Sequence, residues 1–200
     1  MVKMTIQSDT VKNRIVGAAA IFFSQFGFHK TTMGEIARKL HKVKGAIYYY
    51  FESKEDLYNE VLNQELKRVQ IHLTVIVNSD SNPVEILERY AKTRLKLLNE
   101  AKNYHETIKA DFIERYGFVD DVRKDFDEFE RSQLLTILSK GKEEGLLEFS
   151  DINSTVSLIL MLLKSIEIPL FLQEEYKEYH HSIDELITML SASLQQNIKV

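Results

Sequence analysis

The chain has 200 residues, 44% of them hydrophobic and 28% charged, with seven Gly, two Pro and no Cys. Such a length can bury one sizeable core, or a small domain beside a larger one. Few helix breakers and many Leu, Ile, Lys and Glu indicate an all-α fold. The lack of cysteine excludes disulfides and thiolate metal sites and fits a reducing cytosol.

The first fourteen residues, MVKMTIQSDTVKNR, lack the apolar core of a signal peptide. The longest apolar run, Leu158 to Leu163, is too short to span a bilayer. A cytoplasmic protein with no membrane contact is the expectation.

The net charge of −4 is unevenly spread. Residues 1–51 hold eight Lys and Arg against Asp9 and Glu35, a net of +6, which leaves −10 for the remainder. A basic head on an acidic body is the footprint of a small DNA-contacting domain joined to something else.

A first helix is predicted from Asp9 or Thr10, both competent caps, to Phe26 before Gly27. Its apolar face is expected to carry Ile15, Ala18, Ala19, Phe22 and Phe26, which need Ile36, Leu40, Ile47 and Phe51 as partners. Thr32 to Glu35 has capping-box spacing and opens a second short helix with Ile36, Ala37 and Leu40 on one side. A third, KVKGAIYYYF, has lysines in front and three tyrosines behind. Two short helices around a tight turn, the second basic and opening with small residues, suit a helix-turn-helix entering a major groove.

Ser53 followed by Lys54, Glu55 and Asp56 predicts another start, with acids where the helix dipole favours them, and a long helix to Val77. Asn78 to Pro83 is the clearest turn, with Pro83 at the first position of a helix to Asn99. Further helices are expected from Ala101 towards Gly117, from Asp120 to Glu144 closed by Gly145, and from Ile152 to Gln173 with Pro169 kinking or ending it. A capping box at Ser182 to Glu185 predicts a terminal helix with Ile183, Leu186, Ile187, Leu190 and Leu194 in a stripe. About nine helices result, without internal repeats.

The order Arg14-Ile15-Val16-Gly17-Ala18-Ala19, Phe26-Gly27-Phe28, TTMGEIA, KGAIYYYF and SKEDL, spanning Arg14 to Leu62, resembles the TetR/AcrR family of transcriptional regulators. The resemblance implies an all-α protein with a three-helix helix-turn-helix domain at residues 1–52 and a larger effector-binding and dimerisation domain at residues 53–200. It implies a double-stranded DNA operator as partner. Thr32 would meet a phosphate at a helix end. Lys44, Gly45 and Ala46 would open the recognition helix, where a lysine donates to guanine O6 and N7. Tyr48, Tyr49 and Tyr50 would supply phosphate and thymine-methyl contacts, although neighbouring helical side chains diverge by about 100° and cannot all face DNA. Lys54 would anchor a phosphate.

Where the family commonly has Gly-Val-Ser before Lys-Gly, this chain has His41-Lys42-Val43. Histidine tolerates positive φ, so the turn survives; the serine cap is lost, and Lys42 adds a charge at a usually apolar position and joins the DNA-binding candidates.

For the body, the resemblance implies a ligand cavity and a homodimer through the last two helices. Tyr90, Tyr104, Phe112, Tyr116, Phe126 and Met161 are candidate lining residues for an apolar or amphipathic small-molecule effector, with ordinary core packing as the competing reading of each. Asp111 and Glu114 could balance a cationic ligand. His180 and His181 are adjacent and diverge, which argues against a metal site. No nucleophile–base arrangement or glycine-rich phosphate loop is present, so neither catalytic residues nor a cofactor is expected. The expected function is a ligand-responsive dimeric repressor on a palindromic operator. The alternative is a constitutive DNA-binding regulator whose body only dimerises.

Overall fold

The computed structural model describes residues 2–113, 117–167, 170–171 and 176–195, with side chains outside 2–9 and 109–113. Nine α-helices are present among these residues: α1 Val2–Lys30, α2 Met33–Lys39, α3 Lys44–Tyr48, α4 Lys54–Val77, α5 Pro83–Glu100, α6 Lys102–Ile113, α7 Asp120–Glu143, α8 Ile152–Glu167 and α9 Tyr176–Ser193. A single 3-10 turn, Gly117–Val119, precedes α7. No helix among the described residues is long and apolar enough to cross a membrane.

Local signals account for most boundaries. The Thr32 hydroxyl accepts from the Glu35 amide while the Glu35 carboxylate accepts from the Thr32 amide, a complete capping box. Ser53 Oγ accepts from the Asp56 amide at 2.9 Å. Asn82 Oδ1 accepts from the Val84 amide at 2.8 Å, with Pro83 at the first helical position. Gly145, at φ 67°, follows the end of α7. Asp151 caps α8 by accepting from the Ser154 amide at 2.6 Å, and hydrogen bonding from the Ser154 side chain first, and then its backbone, holds the Asp151 carboxyl below the usual range.

Two helix starts lie well upstream of expectation. Helix α1 begins at Val2, upstream of Asp9 and Thr10, because nothing before them breaks a helix. Helix α9 begins at Tyr176, six residues before Ser182. The Ser182–Glu185 spacing matches a capping box but lies inside a helix that YKEYHH already sustains. Pro169 lies outside the described residues.

The chain forms two compact units. The first comprises residues 1–65 and 102–122. Its core contains Ile15, Ala19 and Phe23 of α1, Ile36 and Ala37 of α2, Ile47 of α3, and Leu57, Tyr58 and Leu62 of α4, all essentially inaccessible. The buried face of α1 is the expected one at Ile15 and Ala19 but departs from it towards the helix end: Phe26 is 53% exposed, Phe22 is half-buried, and Phe23 is fully buried. The cause lies at Gly27, whose φ of 80° and ψ of 165° interrupt the helix in a region open to glycine. Phe28 then returns to the core, stacking on Phe23 at 5.9 Å and meeting Tyr58 at 5.2 Å and Phe118 at 4.8 Å. This cluster spans α1, α4 and the 3-10 turn, so the core of the head includes residues beyond 52.

Helix α6 joins the same unit through Asn103. Its side-chain amide donates to Glu65 of α4 at 2.7 Å and to the Ala20 carbonyl of α1 at 3.2 Å, while its own carbonyl accepts from the Tyr58 hydroxyl at 2.9 Å.

The second unit comprises residues 66–101 and 123–200. Helix α5 lies against α8 and α9, and Glu88 accepts from both Lys92 at 2.5 Å and Thr188 at 2.8 Å, which holds its carboxyl below the usual range. Gly141 is buried, and a Cβ added there would lie 2.3 and 2.6 Å from Leu147 Cδ1 and Cγ. Leu147 is itself buried, and its amide donates to the Gly141 carbonyl at 3.0 Å, so it cannot simply withdraw. Gly141→Ala is therefore expected to destabilise the protein by about 1–3 kcal/mol through overpacking, read as a lowered midpoint in thermal unfolding; an unchanged midpoint would show that Leu147 repacks freely.

Candidate nucleic-acid interface

Helices α2 and α3 pack together and are joined by a turn in which His41 takes φ 54°. The histidine thus occupies the left-handed position that the turn requires. Backbone bonds tie this turn to α2: Leu40 and Lys42 donate to the Ala37 carbonyl at 3.1 and 2.9 Å, Leu40 also to the Ile36 carbonyl at 3.3 Å, and His41 to the Arg38 carbonyl at 3.0 Å. Helix α3 is held from beneath by Ile47, with no exposed surface, and by Phe51 just beyond its end. One side of this short helix is anchored, which leaves the other side to solvent.

Lys42, Lys44 and Gly45 are exposed, and Ala46 is half-buried. A Cβ on Gly45 would meet nothing within 4 Å, so the glycine keeps the surface low without being required by packing. The three tyrosines divide as their angular spacing demands. Tyr49 is 81% exposed; Tyr48 is 43% exposed with the Lys44 ammonium 5.5 Å from its ring centroid; Tyr50 is half-buried against Tyr49, edge-on at 5.0 Å.

Thr32 is exposed at the start of α2, but its polar groups are already engaged. Its hydroxyl donates to Glu35 Oε2 at 2.7 Å and its amide donates to the same oxygen at 2.9 Å. Those bonds, the hydroxyl one foremost, hold the Glu35 carboxyl below its usual range. Lys54 is also engaged. Its ammonium donates to the carbonyls of Phe28 at 2.9 Å and Thr31 at 3.3 Å and sits 4.2 Å above the Phe28 ring. It closes the carbonyl end of α1 against the start of α4. Replacing Lys54 with Met is accordingly expected to lower the thermal midpoint of the free protein. A pure phosphate anchor would leave that midpoint unchanged and weaken only DNA binding.

Sequence reasoning overlooked Arg38, Lys39 and Val43 as members of this surface. All three are exposed around the turn, Val43 at 76%. The +6 charge of residues 1–51 already hinted at the first two. Val43 caps α3 without a side-chain hydrogen bond, as the missing serine implied.

The candidate ligand residues do not form one described set. Tyr90 and Phe126 are buried in the second unit, and Tyr104 is buried in the first. Met161 is 61% exposed on α8, its side chain at the surface because the buried positions of that helix are Val156, Leu160, Leu163 and Glu167. The side chains of Phe112, Asp111, Glu114 and Tyr116 lie outside the described residues. Around Tyr90 the core is ionic. The Arg94 guanidinium donates through Nε and Nη2 to both carboxylate oxygens of Glu130, the latter at 3.0 Å, and through Nη2 to Glu167 at 2.5 Å. All three residues are buried. Burial pushes the Glu130 carboxyl up against the opposing pull of Arg94, and burial followed by the Glu130 charge pushes the Tyr90 phenol up.

In the same unit, Leu87 of α5, Leu158, Leu162 and Ile166 of α8, and Leu190 and Leu194 line an apolar groove. His180 and His181 lie ring to ring at 4.0 Å, and no group of three His, Asp or Glu is gathered for a metal among the described residues.

Comparison with known proteins agrees with this geometry. Residues 15–61 match the model for bacterial regulatory proteins of the tetR family. Over 60 residues the chain is 40% identical to the HTH-type transcriptional regulator QacR of Staphylococcus aureus, covering 30% of this chain and 32% of that protein. Over 145 residues it is 26% identical to the HTH-type transcriptional repressor KstR2 of Mycobacterium tuberculosis, covering 70% of each. A solved transcriptional regulator from Cytophaga hutchinsonii superposes with a TM-score of 0.76 at 21% identity, covering 91% of this chain and 97% of that one, which supports the shared all-helical fold. The relatives are regulators rather than enzymes. Residues 15–61 thus carry the N-terminal module of tetR-family regulatory proteins, and the chain is similar to transcriptional regulators of that family.

Proposed function

We propose that the protein is a dimeric, ligand-responsive repressor that binds a palindromic operator in the cytoplasm and is released by a small, apolar or amphipathic effector. The observation that carries this reading is the exposed α3 surface. Lys44, Gly45 and Tyr49 face solvent on a helix locked from beneath by Ile47, beside exposed Arg38, Lys39 and Lys42. Residues 1–52 supply the DNA contacts and residues 53–200 the dimer and the effector response. The apolar groove of α5, α8 and α9 supports the dimer. Leu158, Met161, Leu186 and Met189 are between 43% and 65% exposed in the single chain, and a second copy of the last two helices would cover such a surface. A two-fold dimer then presents two recognition helices to half-sites about one helical turn apart.

Gel-shift binding to DNA selected from a random pool tests the reading directly. A retarded complex whose apparent affinity falls steeply with salt is the expected result; no sequence preference over bulk DNA at moderate salt sinks it. The second reading, a constitutive regulator whose body only dimerises, draws support from the buried Arg94–Glu130–Glu167 cluster beside Tyr90, which fills part of the second unit's core with paired side chains. Thermal shifts with a panel of apolar and amphipathic compounds separate the two. A specific ligand raises the midpoint by mass action, whereas a body built only for dimerisation responds to none.

A further inference from the structure

The surface presented by Val43 to Tyr49, VKGAIYY, has a restricted chemical vocabulary. It contains one lysine and no Arg, Asn, Gln, Asp or Glu. In the major groove, Arg or Lys reads guanine, Asn or Gln reads adenine, and an acid reads the cytosine amine. Thymine is read by apolar contact with its 5-methyl group. Apart from Lys44, then, this surface can read bases mainly by apolar contact.

Two side chains make that contact available. Tyr49 at 81% and Val43 at 76% are the most exposed large apolar side chains among the described residues. Val43 is the more telling of the two. It stands in extended backbone, φ −79° and ψ 151°, at the position that caps α3, and makes no capping bond. A serine, threonine, aspartate or asparagine there would stabilise the free protein. The chain instead holds a β-branched apolar residue in water, flanked in sequence by exposed Lys42 and Lys44. Cations on either side of an apolar residue suit a partner that offers both phosphates and methyl groups. Because the valine side chain is stiff at its first torsion, little freedom is lost when it is covered.

We propose that Val43 is a specificity-determining residue, its methyl groups resting on the 5-methyl of one thymine in each operator half-site. Tyr49 widens the same apolar surface. The inference rests on the DNA-binding reading above and adds to it the chemistry by which one base is recognised.

The experiment uses the full chain and an operator selected by it from random DNA. Each thymine in turn is replaced by deoxyuridine, which removes the methyl group and nothing else. One position per half-site is expected to weaken binding about fourfold, the value of burying roughly one methyl group. Val43→Ser, which restores a capping residue and so keeps the head folded, is expected to lose sensitivity at that position and keep it elsewhere. Val43→Ala serves as a second variant with the same expectation. A flat deoxyuridine series, or unchanged sensitivity at the same thymine in both variants, overturns the assignment. Failure to select any operator removes the DNA-binding reading and the assignment with it. A sharp operator with a flat series removes the assignment alone.

Discussion

Arg94→Met is expected to destabilise the unit of residues 66–101 and 123–200 by about 3–5 kcal/mol, because it strands buried carboxylates without their shared cation. Arg94 and Glu130 are fully buried and Glu167 is 4% exposed, so water cannot replace the lost partner. The cluster joins α5, α7 and α8 at one point, and Arg94 Nη2 alone donates to both acids. Chemical denaturation of the purified variant measures the loss. A triple variant, Arg94→Met with Glu130→Leu and Glu167→Leu, is expected to recover most of it, since an apolar core of similar volume avoids the desolvation of charges altogether. If the triple variant is as unstable as the single one, shape rather than charge is what the cluster provides.

The same site has a signed pH dependence. Glu130 is raised in the fold, so its contribution to stability is largest below the ordinary glutamate range and is lost as pH rises through the raised value. Removing Arg94 takes away the interaction that opposes this rise. Arg94→Met should therefore lose further stability as pH is raised from mildly acid to neutral, and the triple variant should not.

Lys44→Ala and Lys42→Ala are expected to differ in kind. Lys44 opens α3, where its ammonium lies over the Tyr48 ring, and the proposed role is a contact with a base edge. Its removal is expected to reduce discrimination at one base pair of each half-site by about 1–3 kcal/mol. Lys42 is exposed in the turn and has only charge to offer. Its removal is expected to weaken all sequences alike and to lower the slope of log affinity against log salt by about one for each half-site. Binding to the selected operator and to single-base variants at several salt concentrations reads both effects. If both variants relax the sequence preference equally, this division of labour is wrong.

Much of the framework was legible because its causes lie within four residues. Thr32 and Glu35 form their box, Ser53 and Asn82 cap their helices, and Gly145 follows α7, each through bonds that sequence spacing announces. His41 took the left-handed turn position for the same local reason. Local pattern also misled. Ser182 to Glu185 matches a box in spacing, yet a capping box can form only where a helix starts, and this one has already started at Tyr176.

By itself, then, the sequence determined the helices, the charged division between head and body, and the helix-turn-helix register, since these follow from propensity, capping and charge count along the chain. Only the tertiary structure decided which faces and polar groups are used. It set Phe23 rather than Phe26 inside, because Gly27 folds Phe28 back onto Phe23. It engaged Lys54 with carbonyls 23 and 26 positions away, and it gathered Arg94 with acids 36 and 73 positions away. It also left Val43 and Tyr49 in water. A side chain's partners across such distances depend on how helices are placed, and helical periodicity alone carries no record of that placement.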